Sequence, residues 1–327
     1  MKIAIVDIGE QKPIQIICGA PNIALNAKVP CAKIGAKLPG NIVIKEVKLR
    51  GIDSAGMLCS GKELGIDNEA DGLLILDDDA KIGKNIREVL DLDDQVLEIK
   101  STPNRADCLC IKGIAREVAV LTDCSLVPVS VSIPEEDNGD DACSPTAKII
   151  ASQACGRLLI CRMQNVDNHK STPLWMKNRL LHSGITSHSF LVDVSNYVML
   201  ELGQPIHIYD AKQIKNTLHA RYAKDKEIIT CLNDKTIALE KDTLVIADDN
   251  GPISIAGIIG SQSTAVNKDS SDIVIESAYF APNALIGKAK RYGLNTEASY
   301  RFERGVDYTQ QKEACLLYTS DAADDLL

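Results

Sequence analysis

At 327 residues, with 45% apolar and 25% charged residues, the chain has an ordinary globular composition with room for two or three domains, and no apolar run nears the ~20 residues of a membrane span. A net charge of −9 excludes broad electrostatic capture of nucleic acid, because an acidic surface repels phosphate, so RNA contact is confined to local patches such as Lys288, Lys290 and Arg291. Eleven cysteines, scattered and odd in number, read as reduced, mostly buried thiols, and Cys108 with Cys110 alone is a weak metal signal.

The first residues, Met1 to Asp7, alternate like a strand and lack the long apolar stretch of a signal peptide, so a cytoplasmic address is expected. Residues 1–90 continue as short strands between glycines and prolines: Ile3–Val6, Ile14–Cys18, Val29–Ile34 and Ile42–Leu49, then Gly51 and Gly56. This spacing predicts a small all-β barrel or sandwich. Between Asp91 and Leu121 the pattern turns helical. Asp107 is the expected cap of a helix with Ile111, Ile114, Ala115, Val118 and Leu121 on one face. Arg105 and Arg116 are open to two readings, RNA or subunit contact on one side and capping or surface pairing on the other.

From Ser130 to Thr146 the composition shifts to Pro, Glu, Asp, Gly and Ser, with almost nothing to bury, which predicts a solvated acidic linker and a second domain from about Lys148. That domain opens with a strand, Gly156–Cys161, and a helix capped by Thr172, started by Pro173 and stopped by Gly184, with Trp175 expected in the core. Next comes V-D-V-S-N-Y-V-M-L-E-L-G-Q-P-I-H-I-Y-D, residues 192–210. It reads as a strand-like run (Phe190 to Val194), a polar corner at Ser195 and Asn196, a helical turn through Leu202, and a Gly203-Gln204-Pro205 stop that delivers His207. Strands at Ile228–Leu232, Thr243–Ala247, Ile253–Ile259 and Ile273–Ile275 follow, then a helix with Pro282 in its first turn ending near Gly293. Strands joined mostly by hairpins make this an α+β domain.

No phosphate loop of the G-x-x-x-x-G-K-[ST] type, H-E-x-x-H zinc helix or G-x-S-x-G elbow is present in the sequence. Gly257-Ile258-Ile259-Gly260 points to close backbone approach, to a strand or to a ligand. Glu276 shares a strand face with Val274, and a carboxylate in apolar company requires a donor or a cation, an arginine being the plain structural partner.

Several runs are more specific. C-G-A-P-N, I-G-A-K-L-P-G and K-L-R-G-I-D-S-A-G-M-L-C-S in the first part, T-P-N-R-A-D-C-L with G-I-A-R-E-V-A-V-L in the middle, and T-P-L-W-M-K-N-R-L, the 192–210 run, I-A-G-I-I-G, E-S-A-Y-F and G-L-N-T-E-A-S-Y-R-F-E-R-G-V-D in the second part together resemble the bacterial phenylalanyl-tRNA synthetase beta-subunit family over residues 1 to about 310. The resemblance implies a truncated all-β oligonucleotide-binding (OB) barrel for tRNA over 1–90, with family strands preceding the position of Met1, a connecting strand-helix segment over 91–129, the acidic linker over 130–147, and an α+β editing domain over 148–314. Residues 315–327 break from the family and look like the translation of a sequencing adaptor, so this tail is expected to make few apolar contacts.

The same resemblance implies hydrolysis of tyrosine wrongly esterified to tRNA(Phe), in a pocket formed here by His207 and Thr296 as catalytic residues and by Gly260, Glu276 and Ala298 as substrate-binding residues, with no metal. It implies partners, tRNA(Phe) and an alpha subunit in a heterotetramer of two alpha and two beta chains, with no membrane. No cofactor is expected in this stretch, since ATP and Mg2+ belong to the full synthetase and its alpha-subunit site. The residue types suit the task. A pocket built for phenylalanine cannot strongly reject an analogue that adds a hydroxyl, so a second site must recognise that hydroxyl, and Glu276 is the natural acceptor for a phenol. Gly260 and Ala298 leave room for the ring, Thr296 can bond near the ester, and His207 either orients water or the ribose or takes water's proton. The alternative function is a noncatalytic RNA-binding or scaffold module.

Overall fold

The computed structural model describes residues 1–49, 51–66, 72–76, 80–127 and 145–326, the side chains of 321–326 excepted. Most of the predicted acidic linker, residues 130–144, lies outside the described residues. The chain divides into two compact units, one of Met1–Leu97 with Pro173–Arg179 and the other of Glu98–Thr172 with Leu180–Leu327.

The first unit is built mainly of short antiparallel ladders. Lys2–Val6 pairs with Ile14–Cys18, Cys31–Lys33 with Gly56–Leu58, Lys37–Leu38 with Ile42–Val43, and Val47–Leu49 with Ile52–Ser54. Alternation turns Ile16 and Cys18 inward, where they meet Leu58 and Leu73, while Ala32, Ile44 and Cys59 form a second small core. The expected strand Ile42–Leu49 is interrupted: Ile44 leaves the ladder to exchange backbone bonds with Gly35 and Ala36 and buries its side chain. Gly56 is required where it stands, because a Cβ there would lie 2.9 Å from the Ala32 carbonyl oxygen. Trp175 is not a core residue as expected. It is 46% exposed with the Arg179 guanidinium over its ring, because Met176 occupies the buried stripe of the helix Leu174–His182.

The second unit holds two sheets. In one, the long central strand Asp272–Phe280 is flanked by Cys155–Gln164 and Ile206–Asp210, both antiparallel to it. The other runs Ile259–Gly260, Pro252–Ile255, Leu244–Ala247, Leu218–Tyr222 and Ala147–Ile149, antiparallel except for its last pair. A shared core joins Tyr209, Val274, Ala278 and Phe280 of the first sheet to Leu218, Ala220, Leu244, Ile246 and Ile253 of the second. Val245, Ala247 and Ile255 point the other way and pack with Ile229 and Ile237 of the hairpin Ile228–Ala238, so the strand Leu244–Ala247 is buried on both faces.

Residues 190–202 form one helix, not the strand and corner read from the sequence. The β-branched residues suggested a strand, but Phe190, Val194, Val198 and Leu202 recur every four positions and all are buried, which is a helical stripe. Gly203 ends the helix with φ +79°, and a Cβ there would press on Cys110 Sγ at 3.1 Å. Asp193, fully buried inside this helix, accepts bonds from Thr172 Oγ1, Ser187 Oγ and the His188 amide, so the Thr172 hydroxyl donates to a neighbouring helix. The predicted cap at Asp107 is also corrected: the helix Ile111–Thr122 begins at Cys110, whose Sγ accepts from the Gly113 amide. The apolar face read from the sequence is largely open among the described residues, with Ile111, Val118 and Leu121 exposed. The expected helix from Pro282 to Gly293 is two single turns, Pro282–Leu285 and Lys288–Arg291, parted by Gly287 at φ +77°.

The tail departs most from expectation. A helix spans Gln311–Leu326, and Ala314, Cys315, Leu317 and Tyr318 are buried within it. The Tyr318 hydroxyl donates to the Leu191 carbonyl, and Gln311 Nε2 donates to Gln204 Oε1. Few apolar contacts were predicted from a break in family pattern, but helix, apolar stripe and docking face are all present at least to Ser320.

Candidate functional site

The strand Ile206–Asp210 places His207 and Tyr209 two residues apart and therefore on one face, and its register sets His207 directly opposite Glu276. Glu276 lies in the alternating row Val274, Glu276, Ala278, Phe280, three members of which belong to the core between the sheets. The carboxylate is only 5% exposed. Its partner is not an arginine. The Tyr209 phenol donates to Glu276 Oε2, with Ser254 Oγ 3.3 Å from the same phenol oxygen.

This arrangement sets the electrostatics. Burial pushes the Glu276 carboxyl up to about 7, and the Tyr209 hydrogen bond only partly opposes that rise. Tyr209, itself fully buried, is held well above its ordinary range by burial and by the neighbouring carboxylate, so the shared proton stays on the phenol. His207 is half-buried as a residue and borders the cavity, yet burial still pushes its pKa down to about 4, so the imidazole is neutral across physiological pH. Its edge meets the Tyr209 ring at 4.5 Å between centroids.

A cavity of about 60 Å³ opens at these residues, lined by Pro205, Ile206, His207, Ser254, Gly257, Gly260, Glu276, Ala298 and Phe302 among others. It has room for a few waters. Gly260 is decided by His207: a Cβ at 260 would sit 2.4 Å from both Cε1 and Nε2 of the ring. Gly257 is similarly tight, with φ +68° and Leu285, Phe302 and Phe280 within about 3 Å of a built Cβ. Ala298 comes from the helix Glu297–Phe302 and borders the cavity without filling it.

Four of the five expected site residues, His207, Gly260, Glu276 and Ala298, thus meet around one cavity. Thr296 stands apart from its lining. Its hydroxyl caps the helix Glu297–Phe302 by accepting from the Ser299 amide, and donates to the Ile258 carbonyl at 2.9 Å. With its one proton committed, Thr296 holds that helix against the turn carrying Gly257 and Gly260. Sequence reasoning missed Tyr209 and Ser254. The available signal was the i, i+2 spacing of His207 and Tyr209 in I-H-I-Y-D, which puts a phenol on the face that carries the histidine.

Other candidates carry less chemistry. A larger hollow of about 370 Å³ is lined by Tyr222, Lys241, Asp242, Asn283, Ala284 and Lys288, but Lys288 pairs with Asp242, as does Arg291 at 2.7 Å. Two of the three cations expected to meet RNA are therefore already answered by carboxylates. Asp107, Cys108 and Glu117 bring ligand atoms within 4.8 Å of one another, yet Arg105 sits on Asp107 at 2.9 Å and Glu117 at 2.6 Å, where a metal ion would have to displace it. That geometry selects the pairing role for Arg105.

Among the described residues, no helix is long and apolar enough to cross a membrane. Residues 154–320 match the family described as the B3/4 domain, and residues 1–85 match the putative tRNA binding domain. The phenylalanine-tRNA ligase beta subunit of Neisseria meningitidis is 50% identical over 311 residues, covering 94% of this chain and 39% of that protein. The beta subunit of Dechloromonas aromatica is 50% identical over 313 residues, 94% of this chain and 38% of that one. The chain thus spans about two fifths of the length of these curated relatives. An N-terminal fragment of the phenylalanyl-tRNA synthetase beta subunit from Pyrococcus horikoshii superposes with a TM-score of 0.34 at 16% identity, covering 60% of this chain and 63% of the other. The chain belongs to the B3/4 domain family and is similar along 94% of its length to phenylalanine-tRNA ligase beta subunits.

Proposed function

We propose that residues 148–314 form an editing domain that hydrolyses tyrosine wrongly attached to tRNA(Phe), and that residues 1–90 form a tRNA-binding OB-type module that helps hold the tRNA. In the whole synthetase this chain works with an alpha subunit, as two alpha and two beta chains, in ATP- and Mg2+-dependent attachment of phenylalanine in the cytoplasm. The observation that carries the reading is Glu276, a buried carboxylate bordering a cavity and already accepting a phenol hydrogen bond, from Tyr209. A carboxylate accepts at both oxygens, so a substrate phenol can join the resident one, whereas phenylalanine leaves an acceptor without a partner.

His207 positions the attacking water or the terminal ribose. A pKa of about 4 makes its imidazole a weak proton acceptor near neutrality, which favours orientation over general base catalysis. Gly260 gives the ring its place, Ala298 leaves space for the substrate, and Thr296 acts by fixing the helix that carries Ala298. The second reading, a noncatalytic RNA-binding or scaffold module, draws on the committed Thr296 hydroxyl, which leaves no free nucleophilic side chain at its position.

Deacylation of matched tyrosyl and phenylalanyl esters of the same tRNA separates the two. An editing enzyme cleaves the tyrosyl ester faster, and Glu276→Ala lowers that preference by about ten- to hundredfold in kcat/KM, the worth of a hydrogen bond to a charged group. His207→Ala slows both esters more nearly alike. Binding without cleavage, by this chain and by the assembled heterotetramer, selects the noncatalytic module. Equal slowing of both esters by Glu276→Ala removes the carboxylate as hydroxyl reader.

A further inference from the structure

The phenol on Glu276 is a feature that neither the residue pattern nor the relatives' names account for. Tyr209 contributes no surface to the cavity, so it cannot touch what binds there, yet its hydroxyl holds one of the two oxygens of the group that can. Resting on the reading of Glu276 as acceptor for a substrate phenol, we propose that Tyr209, backed by Ser254, is a positioning residue that ties down Glu276 Oε2 and leaves the other oxygen as the single acceptor for the substrate hydroxyl.

The geometry supports this in three ways. The phenol and the carboxylate come from adjacent strands with fixed register, so the backbone holds their attachment points at a constant separation. Ser254, on the second sheet, lies 3.3 Å from the phenol oxygen. Its hydroxyl can donate there, because the phenol has one proton and gives it to Glu276. The Tyr209 ring also stands edge-on to His207, so one residue braces both groups that border the cavity. An untethered carboxylate would rotate and offer either oxygen to water, which weakens discrimination by making the acceptor satisfiable without a substrate hydroxyl.

The charge environment makes the role measurable. His207 and Tyr209 face Glu276 from the strand Ile206–Asp210, Ile160 opposes it from Cys155–Gln164, where the Cys155 thiol also feels its charge, and Ser254 approaches from Pro252–Ile255. The helix Glu297–Phe302 contributes Ala298 and Phe302 to the cavity, while its Glu297 is tied to Arg301. No lysine or arginine among the described residues balances the carboxylate, so the Tyr209 hydrogen bond is what favours its charged form.

The test compares the full chain with Tyr209→Phe, which keeps the ring in the core and against His207, and with Ser254→Ala, which keeps the phenol. Glutamate carboxyls labelled with 13C are titrated by NMR, with Glu276 assigned by its loss in Glu276→Gln, and tyrosyl against phenylalanyl ester cleavage is followed from pH 6.5 to 8.5. Tyr209→Phe is expected to raise the Glu276 midpoint by about one to two pH units, the shift that loss of a hydrogen bond to a charged group brings. The tyrosyl preference at pH 7.5 falls by about threefold or more and recovers toward higher pH. Ser254→Ala moves both in the same direction by less. A tyrosyl preference in the unmodified chain, with an unmoved midpoint and unchanged preference in both variants, overturns the proposal and leaves the editing reading standing. Absence of any tyrosyl preference in the unmodified chain overturns that reading and the proposal with it.

Discussion

Replacing Glu276 with glutamine will change how stability depends on pH, whatever the pocket does. The carboxyl rises from an ordinary 4.5 to about 7 on folding, chiefly through burial. At about 1.4 kcal/mol per unit, that rise corresponds to roughly 3 kcal/mol. The sign follows from proton counting: between 4.5 and about 7 the folded chain holds a proton that the unfolded chain has released, so stability falls as pH rises through that window and levels off above it. Glutamine carries no charge and escapes this loss. It introduces a buried amide that needs its own partner, at about 1–3 kcal/mol, but that cost does not vary with pH. The stability of Glu276→Gln relative to the parent should therefore rise by about 3 kcal/mol from pH 4.5 to 7.5. Native-state hydrogen exchange of amides in the strand Asp272–Phe280 reads this locally, which matters in a chain of two units that need not unfold together. Parallel stability profiles for the two proteins would refute the argument, since they would mean that the carboxyl titrates normally and is not desolvated.

Gly260→Ala will displace the His207 ring, because the new Cβ would stand 2.4 Å from it. Overpacking at this level costs about 1–3 kcal/mol, and the expected signature is a folded protein with shifted His207 imidazole resonances and slower cleavage of both esters. The His207 imidazole will show no protonation between pH 5 and 8 by NMR, since burial holds its pKa at about 4, and a midpoint near 6.5 would contradict the burial described here. Tyr318→Ala will lower stability by about 3–5 kcal/mol, the cost of removing a fully buried aromatic side chain, as read from the hydrogen-exchange stability of amides in the helix Phe190–Leu202. No change would show that the helix Gln311–Leu326 does not dock.

Local features of the site were legible in the order of residues. Alternation along Asp272–Phe280 placed Glu276 on an apolar face, and the break at Gly203-Gln204-Pro205 correctly separated a helix from the segment delivering His207, because periodicity and backbone allowance are properties of neighbours in the chain. Gly260 and Ala298 could be read as small, but not as small for a reason until His207 was seen in the way of a Cβ at 260. Only the tertiary structure decided that Phe190–Leu202 is wholly helical, since its valines suit a strand locally and are overruled by a four-residue stripe that finds a core to cover. It also decided that the Thr296 hydroxyl is taken by Ile258 and that Tyr318 is buried. Pattern could place the Tyr209 phenol on the His207 face but not on Glu276. Tyr209 is 67 residues away in sequence, and which side chain meets a buried carboxylate depends on the register of two strands that the chain brings together only by folding.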